Sequence, residues 1–287
     1  MKRYFWLIGI VLALLLAACA PSPPPVVTRT PLPTVASSPT VAPVIPTVDT
    51  SAAVGANNPT AAAVPNDGDV NAAVPRLTEE PFTVTASSDG LELRGMLYRA
   101  DREPAPAVLL LHMLSGRRQD WESLITPLQE AGYTVLAMDM RGHGATGSAQ
   151  DWELARQDVV DMLAALRDVD GVDGTRVAAV GASIGANLAL IGCSTSDFCG
   201  TAVLLSPGLD YRGVTTEAAM TQMGERPVLL VASEEDTYSA QSSRTLADAA
   251  QGVHELMMYS GAGHGTRMFR AQPDLVDAIL NWLNTHL

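Results

Sequence analysis

The sequence predicts an α/β fold, a mostly parallel eight-stranded sheet with helices on both faces, over residues 77–287. Short apolar runs alternate there with segments of helical period, the pattern of β-α units. Several runs, such as "PAVLLLHM" and "PVLLVAS", are apolar throughout, as strands buried on both faces are. The length of this part suits one domain with one core.

Taken in order, "PFTVTAS" and "LELRGMLYR" alternate apolar and polar residues around Asp89-Gly90 and predict an antiparallel hairpin. Strand "PAVLLLHM" follows, then helix "DWESLITPLQEAG", which Pro127 must kink or shorten. Strand "YTVLAMDM", helix "DWELARQDVVDMLAALRD", strand "RVAAVGA" and helix "IGANLALIG" come next. Strand "TAVLLS", a short helix near Thr216–Met223, strand "PVLLVAS" and helix "AQSSRTLADAAQ" continue the alternation. Strand "HELMMYS" and helix "PDLVDAILNWLNTH" end it. The expected order is an antiparallel start followed by six parallel strands.

Ahead of this domain the chain is of another kind. Residues 1–19 carry a basic start (Lys2, Arg3), an apolar run from Tyr4 to Leu16 and small residues before Cys19. That is a secretory signal, its apolar run short for a membrane span. Leu16-Ala17-Ala18-Cys19 resembles a bacterial lipobox, in which the cysteine is lipidated and becomes the new N-terminus. Residues 20–76 are rich in Pro, Thr, Ser, Ala and Val with no helical or strand period, a composition that cannot bury a core and predicts a disordered tether. The net charge of −13 argues against nucleic-acid binding, which needs basic patches. Cys193 and Cys199 stand close together in "CSTSDFC", which suits a local disulfide in an oxidising compartment, with two free thiols as the alternative. No nearby His cluster points to a metal, and no cofactor is called for.

Ser183 stands between a buried strand and a helix, flanked by Gly181 and Gly185. Gly-Ala-Ser-Ile-Gly fits the G-x-S-x-G elbow, where a side chain at either glycine would collide with neighbouring backbone. A serine hydroxyl needs a base to become a nucleophile. Of five histidines, His264 lies in the glycine-rich loop after the last strand and completes a Ser-acid-His chain order. His286, near the end of the last helix, is read as a solvated residue favoured by the helix dipole, and His254 at a strand start as structural. The base needs an acid, and the loop after "PVLLVAS" offers Glu234, Glu235 and Asp236. Asp236 is chosen because it falls where the loop turns back; Glu235 and, one strand earlier, Asp210 are the alternatives.

These motifs resemble those of the α/β-hydrolases, close to the dienelactone hydrolase and small-esterase branch, over Phe82–Leu287. "HMLSG" from His112 is similar to the family's His-Gly-x segment, and "DMRGHG" from Asp139 to its Asp-x-Arg-Gly-His-Gly turn. The resemblance implies an oxyanion hole from the backbone N–H groups of Leu114 and Ile184, with Met113 a rival donor because it replaces the usual glycine. It implies that His143 braces the elbow. The implied chemistry is ester cleavage by Ser183, His264 and Asp236 without a cofactor, on a small-molecule ester. A peptidase or thioesterase on the same fold, or a non-catalytic surface-binding module, are the competing readings. Only about twenty residues separate "TAVLLS" from "PVLLVAS", where many relatives insert a large cap, so the site should be open and shallow. Met113, Leu114, Tyr211 and Met220 are its candidate walls.

The N-terminal reading places the domain outside the cytoplasmic membrane, held through lipid on Cys19. Cys19→Ala should therefore move the protein from the membrane fraction to a soluble or uncleaved form on fractionation. Retention of a cleaved Cys19→Ala protein in the membrane would exclude lipidation as the anchor.

Overall fold

The computed structural model describes residues 78–287; the signal segment, Cys19 and the tether lie outside the described residues. Strands β1 (Thr78–Thr85) and β2 (Glu92–Arg99) form the expected antiparallel hairpin. Then come β3 (Ala105–Leu111), α1 (Glu122–Glu130), β4 (Thr134–Met138), α2 (Trp152–Arg167), β5 (Val172–Ala182) and α3 (Ile184–Thr195). They are followed by β6 (Cys199–Leu205), β7 (Asp210–Tyr211), β8 (Val214–Thr215), α4 (Glu217–Met223), β9 (Val228–Ser233) and α5 (Thr237–Ala249). The series closes with β10 (His254–Tyr259), α6 (Met268–Ala271) and α7 (Leu275–His286). The eight-stranded sheet has the order β1-β2-β4-β3-β5-β6-β9-β10, with its last six strands parallel. That is the predicted architecture.

The core follows from the two-residue period of the strands. Ala107, Leu109 and Leu111 of β3 face one side, with Leu188 and Leu190 of α3, Val159 and Leu163 of α2 and Leu246 of α5. Val108 and Leu110 face the other, with Leu124 and Leu128 of α1 and Ile279, Trp282 and Leu283 of α7. Every residue of β3, β4 and β9 is buried, which explains why their sequences are apolar without alternation. Each fully buried Leu or Val contributes about 1.5–3 kcal/mol relative to exposure.

Several boundaries differ from expectation. Pro127 sits inside α1, which runs nine residues from Glu122 to Glu130 and is preceded by a separate 3-10 turn at Arg118–Trp121. Helix α5 begins at Thr237, so Asp236 is its N-cap residue and not the middle of a returning loop. The two-residue strands β7 and β8 form a small hairpin absent from the predicted order; their lengths are too short to show a period.

Two polar clamps tie the layers together. Arg141, its side chain 3% exposed, forks onto both carboxylate oxygens of Asp158 on α2, each at 2.8 Å, and reaches Asp89 of the β1–β2 turn at 2.6 Å. Burial raises the Asp158 carboxyl, while the Arg141 guanidinium pulls it back down. At the far end of α3, Cys193 and Cys199 form a disulfide with Cα atoms 5.1 Å apart. Arg226 donates there to the carbonyls of Cys193 (2.6 Å), Ser194 (3.0 Å) and Cys199 (3.2 Å), satisfying acceptors that the helix end leaves open.

The tightest contact in the fold lies where β5 turns into α3. A Cβ on Gly181 would stand 2.1 Å from the Gly185 carbonyl oxygen, and one on Gly185 would stand 2.3 Å from the Leu111 oxygen and 2.4 Å from the His112 oxygen. Both obstacles are backbone, which cannot swing aside. Gly185→Ala should therefore cost stability at or beyond the upper end of the ~1–3 kcal/mol typical of overpacking. Gly200→Ala meets the tip of the Leu287 side chain at 3.2 Å and nothing else closer than 3.9 Å, and should stay within about 1 kcal/mol of wild type. Urea unfolding of the two variants tests this; equal losses would show that the helix can retreat from β3.

Candidate active site

Ser183 takes φ 55° and ψ −122°, a left-handed conformation costly for a residue with a Cβ. The surroundings hold it there. Its N–H donates to Leu205 O at 2.8 Å, and its carbonyl accepts from Ala186 N at 2.9 Å. The residue is 6% exposed and precedes the N-terminus of α3, where partial positive charge favours a developing anion.

The loop after β10 presents His264. Glu235 pins one side of this loop, accepting from Ser233 Oγ (2.8 Å), Ser260 Oγ (2.9 Å) and Gly261 N (2.7 Å). Those donors, the Gly261 N–H first, lower the Glu235 carboxyl to about 2. Ser206 pins the other side: its Oγ accepts from Gly265 N at 2.9 Å. Between the pins, His264 Nδ1 lies 2.6 Å from Asp236 Oδ2. With Nδ1–H donating to the carboxylate, Nε2 is left as an acceptor, the arrangement a general base requires. Asp236 makes no capping bond to its own helix, so its carboxylate serves His264. Glu235 is committed to the loop. Asp210 accepts from Gly213 N at 2.7 Å and has no contact with His264.

The segment after β3 is built on His112. Its Nδ1–H donates to Met113 O at 2.8 Å, and its Nε2 accepts from Met140 N at 3.0 Å. Gly116 N also donates to Met113 O, at 2.9 Å. With that carbonyl held from two sides, the planar trans peptide directs the Leu114 N–H the opposite way. Among the described residues, the N–H groups of Met113, Leu114 and Ile184 meet no protein acceptor, so all three are available to an oxyanion. His143 supports this same segment, accepting from Ser115 N at 3.3 Å while its Nδ1 lies 2.9 Å from Arg141 O. It braces the loop after β3 and not the elbow, which corrects the expectation. The reason is that its turn leaves β4, the strand beside β3.

Ser183, His264, Met113, Leu114, Ile184 and Tyr211 line one pocket of about 240 Å³. Ser183 and His264 share it without a hydrogen bond between them. Tyr211 Oη sits 2.9 Å from Ser239 Oγ, and burial raises its phenol. Met220, expected as a wall, is fully buried in the core against α3 instead, because α4 turns its apolar face inward. Arg212 and Arg267, which the sequence did not single out, complete the lining. The signals were an arginine-glycine pair between two-residue strands and an arginine one helical turn beyond His264. Residues 206–227, where a cap would be inserted, hold only the β7–β8 hairpin and α4. Among the described residues no three His, Cys, Asp or Glu side chains converge as metal ligands would.

Burial holds His112 well below its ordinary range, at about 4, and both ring nitrogens are already used in the neutral form. In an NMR titration its Nδ1–H tautomer should therefore persist to pH 5, where an unperturbed histidine is charged. Folding then loses stability as pH falls from about 6.5 toward about 4, since only the unfolded chain takes up the proton, on the order of 2 kcal/mol by pH 5. Titration of His112 near 6.5 would contradict this arrangement.

The profile of the Alpha/beta hydrolase family matches residues 108–228. No curated protein matches the chain. Among solved structures, an esterase from Pyrococcus furiosus is similar with a TM-score of 0.63 and 18% identity, over 73% of this chain and 91% of that one. Est1E from Butyrivibrio proteoclasticus, solved with ferulic acid bound, gives 0.63 and 15%, over 71% and 98%. Dienelactone hydrolase from Anabaena variabilis gives 0.62 and 18%, over 74% and 99%. The strand order, the elbow after β5 and these likenesses together make the fold of this chain that of an α/β-hydrolase.

Proposed function

We propose that the protein is a serine esterase that cleaves small carboxylic esters through an acyl-enzyme. The observation that carries this is the convergence on one pocket of a strained, buried serine, a histidine fixed by a carboxylate at 2.6 Å, and backbone N–H groups without acceptors. Ser183 Oγ attacks the ester carbonyl while His264 Nε2 takes its proton. Asp236 stays ionised and stabilises the imidazolium. The oxyanion rests on the N–H of Leu114 and of Ile184, each worth roughly 3–4 kcal/mol where such donors have been removed elsewhere. His264 then protonates the leaving alcohol, and water, deprotonated by the same base, releases the acid and restores Ser183. The open mouth of the pocket suits small or surface-bound esters. The solved esterases with the same fold support the choice of ester over amide. The place of work is outside the cytoplasmic membrane, through lipid on Cys19; this rests on the N-terminal sequence alone.

Ser183→Ala should fold normally, lose labelling by a fluorophosphonate and drop kcat on 4-nitrophenyl acetate at least ~10³-fold. Asp236→Asn should lower kcat by about 10⁴ by leaving the wrong imidazole tautomer, whereas Asp210→Asn should have far less effect. Wild-type turnover in Ser183→Ala would remove the serine mechanism, and hydrolysis of peptides or thioesters in preference to esters would move the protein to a different class.

A further inference from the structure

Among the described residues that line the pocket, only Ser183 and Tyr211 carry a hydroxyl. The ring of Tyr211 is bedded on backbone: a Cβ on Gly208 would stand 2.6 Å from its Cε2 and 2.8 Å from its Cζ. It also stands edge-on to Tyr238, with ring centres 5.5 Å apart, and to His264, at 6.4 Å. At its tip, Oη lies 2.9 Å from Ser239 Oγ and donates to Ser206 O at 3.3 Å. Ser239 is fully buried on α5. Ser206, with φ 52°, has a positive φ as Ser183 does, and its own hydroxyl accepts from Gly265 N beside His264. One strained residue thus positions both the phenol and the histidine loop. An apolar wall would need none of these bonds.

The strand that carries Tyr211 is held just as closely. Arg212 and Gly213 join β7 to β8 with φ 55° and 85°, left-handed at both turn positions, where Asn-Gly or Gly-Gly is the usual pair. Gly213 N donates to Asp210 Oδ1 at 2.7 Å, and Arg156 of α2 donates to the Gly213 carbonyl. Asn187 of α3 donates to Val214 O at 2.7 Å and accepts from Gly208 N at 3.0 Å. From α5, Tyr238 Oη bonds both the N–H (2.9 Å) and the carbonyl (2.8 Å) of Asp210, and Ser242 Oγ accepts from Leu209 N at 3.1 Å. Three helices therefore fix the backbone that presents one phenol to the pocket. Burial raises that phenol, the Ser239 hydroxyl pulls it down, the Asp236 carboxylate pushes it up and the Ser183 hydroxyl pulls it down. With the net shift upward it keeps its proton at neutral pH and acts as a donor.

We propose that Tyr211 is a fourth catalytic residue, whose O–H donates to Ser183 Oγ when that oxygen leaves the acyl group. This deepens the esterase reading and rests on it. In deacylation His264 Nε2 takes a proton from water, whose oxygen bonds to the acyl carbon. Collapse of that adduct breaks the bond from carbon to Ser183 Oγ. The electron pair stays on Oγ, which takes the proton back from Nε2. Tyr211 keeps its own proton throughout and contributes a hydrogen bond alone. The Ser206 carbonyl, at a long 3.3 Å, gives that proton up to a better acceptor. Oγ becomes one at this step. In the acyl-enzyme it is an ester oxygen with its lone pair drawn into the carbonyl, and it gains basicity as its bond to carbon breaks. In acylation Oγ begins as a hydroxyl, already able to accept from Tyr211, so attack gains less. The contribution therefore falls on deacylation, as an interaction realised in the transition state.

Tyr211→Phe removes the hydroxyl and keeps the ring. With 4-nitrophenyl acetate, kcat/KM reports the steps through acylation, and decay of the acetyl-enzyme, followed by intact mass after acid quench, reports deacylation. In this variant the decay should slow about tenfold, the size expected of one hydrogen bond to developing charge, while kcat/KM changes by less than about threefold. Once deacylation limits, kcat and KM should fall together and a burst of 4-nitrophenolate should mark the accumulating acetyl-enzyme. A merely structural role would disturb both halves of the reaction and leave KM unchanged or raised. Ser239→Ala keeps the phenol but removes its 2.9 Å partner. It should give the same split at smaller size, and it carries the test if Tyr211→Phe does not fold. Acetyl-enzyme decay at the wild-type rate in the folded variants, or a loss of kcat/KM as large as the loss in decay, would overturn the inference. Turnover that still requires Ser183 in that case leaves the esterase reading standing. Turnover that survives Ser183→Ala, or the absence of any acetyl-enzyme on Ser183, removes both.

Discussion

The contact on which the rest of the site depends is the backbone-to-backbone approach of α3 to β3. Because Gly181 and Gly185 lack Cβ atoms, the helix starts directly against the carbonyl ends of Leu111 and His112. The consequences are geometric. The left-handed turn at Ser183 becomes the only way to join β5 to a helix set that close, and the hydroxyl is lifted clear of the sheet. The N–H of Ile184 is brought to the same side as the segment after β3, so one short distance sets the positions of the proposed nucleophile and of a proposed oxyanion donor together. Strain at a single serine is tolerable because Leu205 O and the first turn of α3 hold the peptide on either side.

Around this contact the polar groups form a connected frame. His112 is neutral and fully hydrogen-bonded in the interior, which ties β3 to Met140 beyond β4. Asp139, buried, accepts from the backbone N–H groups of Arg118 and Ala145, each at 2.8 Å, and from the Arg118 guanidinium. Arg141 continues the frame to α2, and His143 returns it to Ser115. Buried charges of this sort contribute little to net stability as pairs but are costly to leave half-made. Their arrangement makes the segment from His112 to Gly116 rigid, which is what an oxyanion site needs so that no reorganisation accompanies reaction.

The strand order and the core were legible because buried parallel strands have an unmistakable composition: β3 is apolar from end to end, and so are the buried stretches Val177–Ala182 of β5 and Val228–Ala232 of β9. Ser183 and His264 were legible for a different reason: glycines at fixed offsets record backbone contacts that side chains would prevent. Asp236, and not Glu235, meets His264, though not for the reason the sequence suggested. It sits at the N-cap of α5, not in a returning loop, and Glu235 is taken up by three donors, Ser233 beside it and Ser260 and Gly261 of the loop after β10, two of which no local pattern reveals. Met220 was misplaced because an apolar residue near a site is not distinguishable, in sequence, from one turned into the core. Arg212 went unseen because its hairpin is two residues on each side, too short for any period, and because its turn residue contradicts the usual preference.

That contradiction is informative about how the domain handles charge. The protein as a whole is acidic, and its field repels anions at long range. Screening limits such repulsion to about 8 Å at physiological ionic strength, so charges lining a small pocket outweigh those scattered over the surface. An uncapped pocket has few walls on which to build specificity, since residues 206–227 supply only a hairpin and one short helix. Arg212 stands on that hairpin, which is itself tied to three helices. The two-residue strands, the Tyr238 and Asn187 bonds and the left-handed Arg212 then belong to a single arrangement, in which bonds at the base of the hairpin fix the backbone of a residue that lines the pocket.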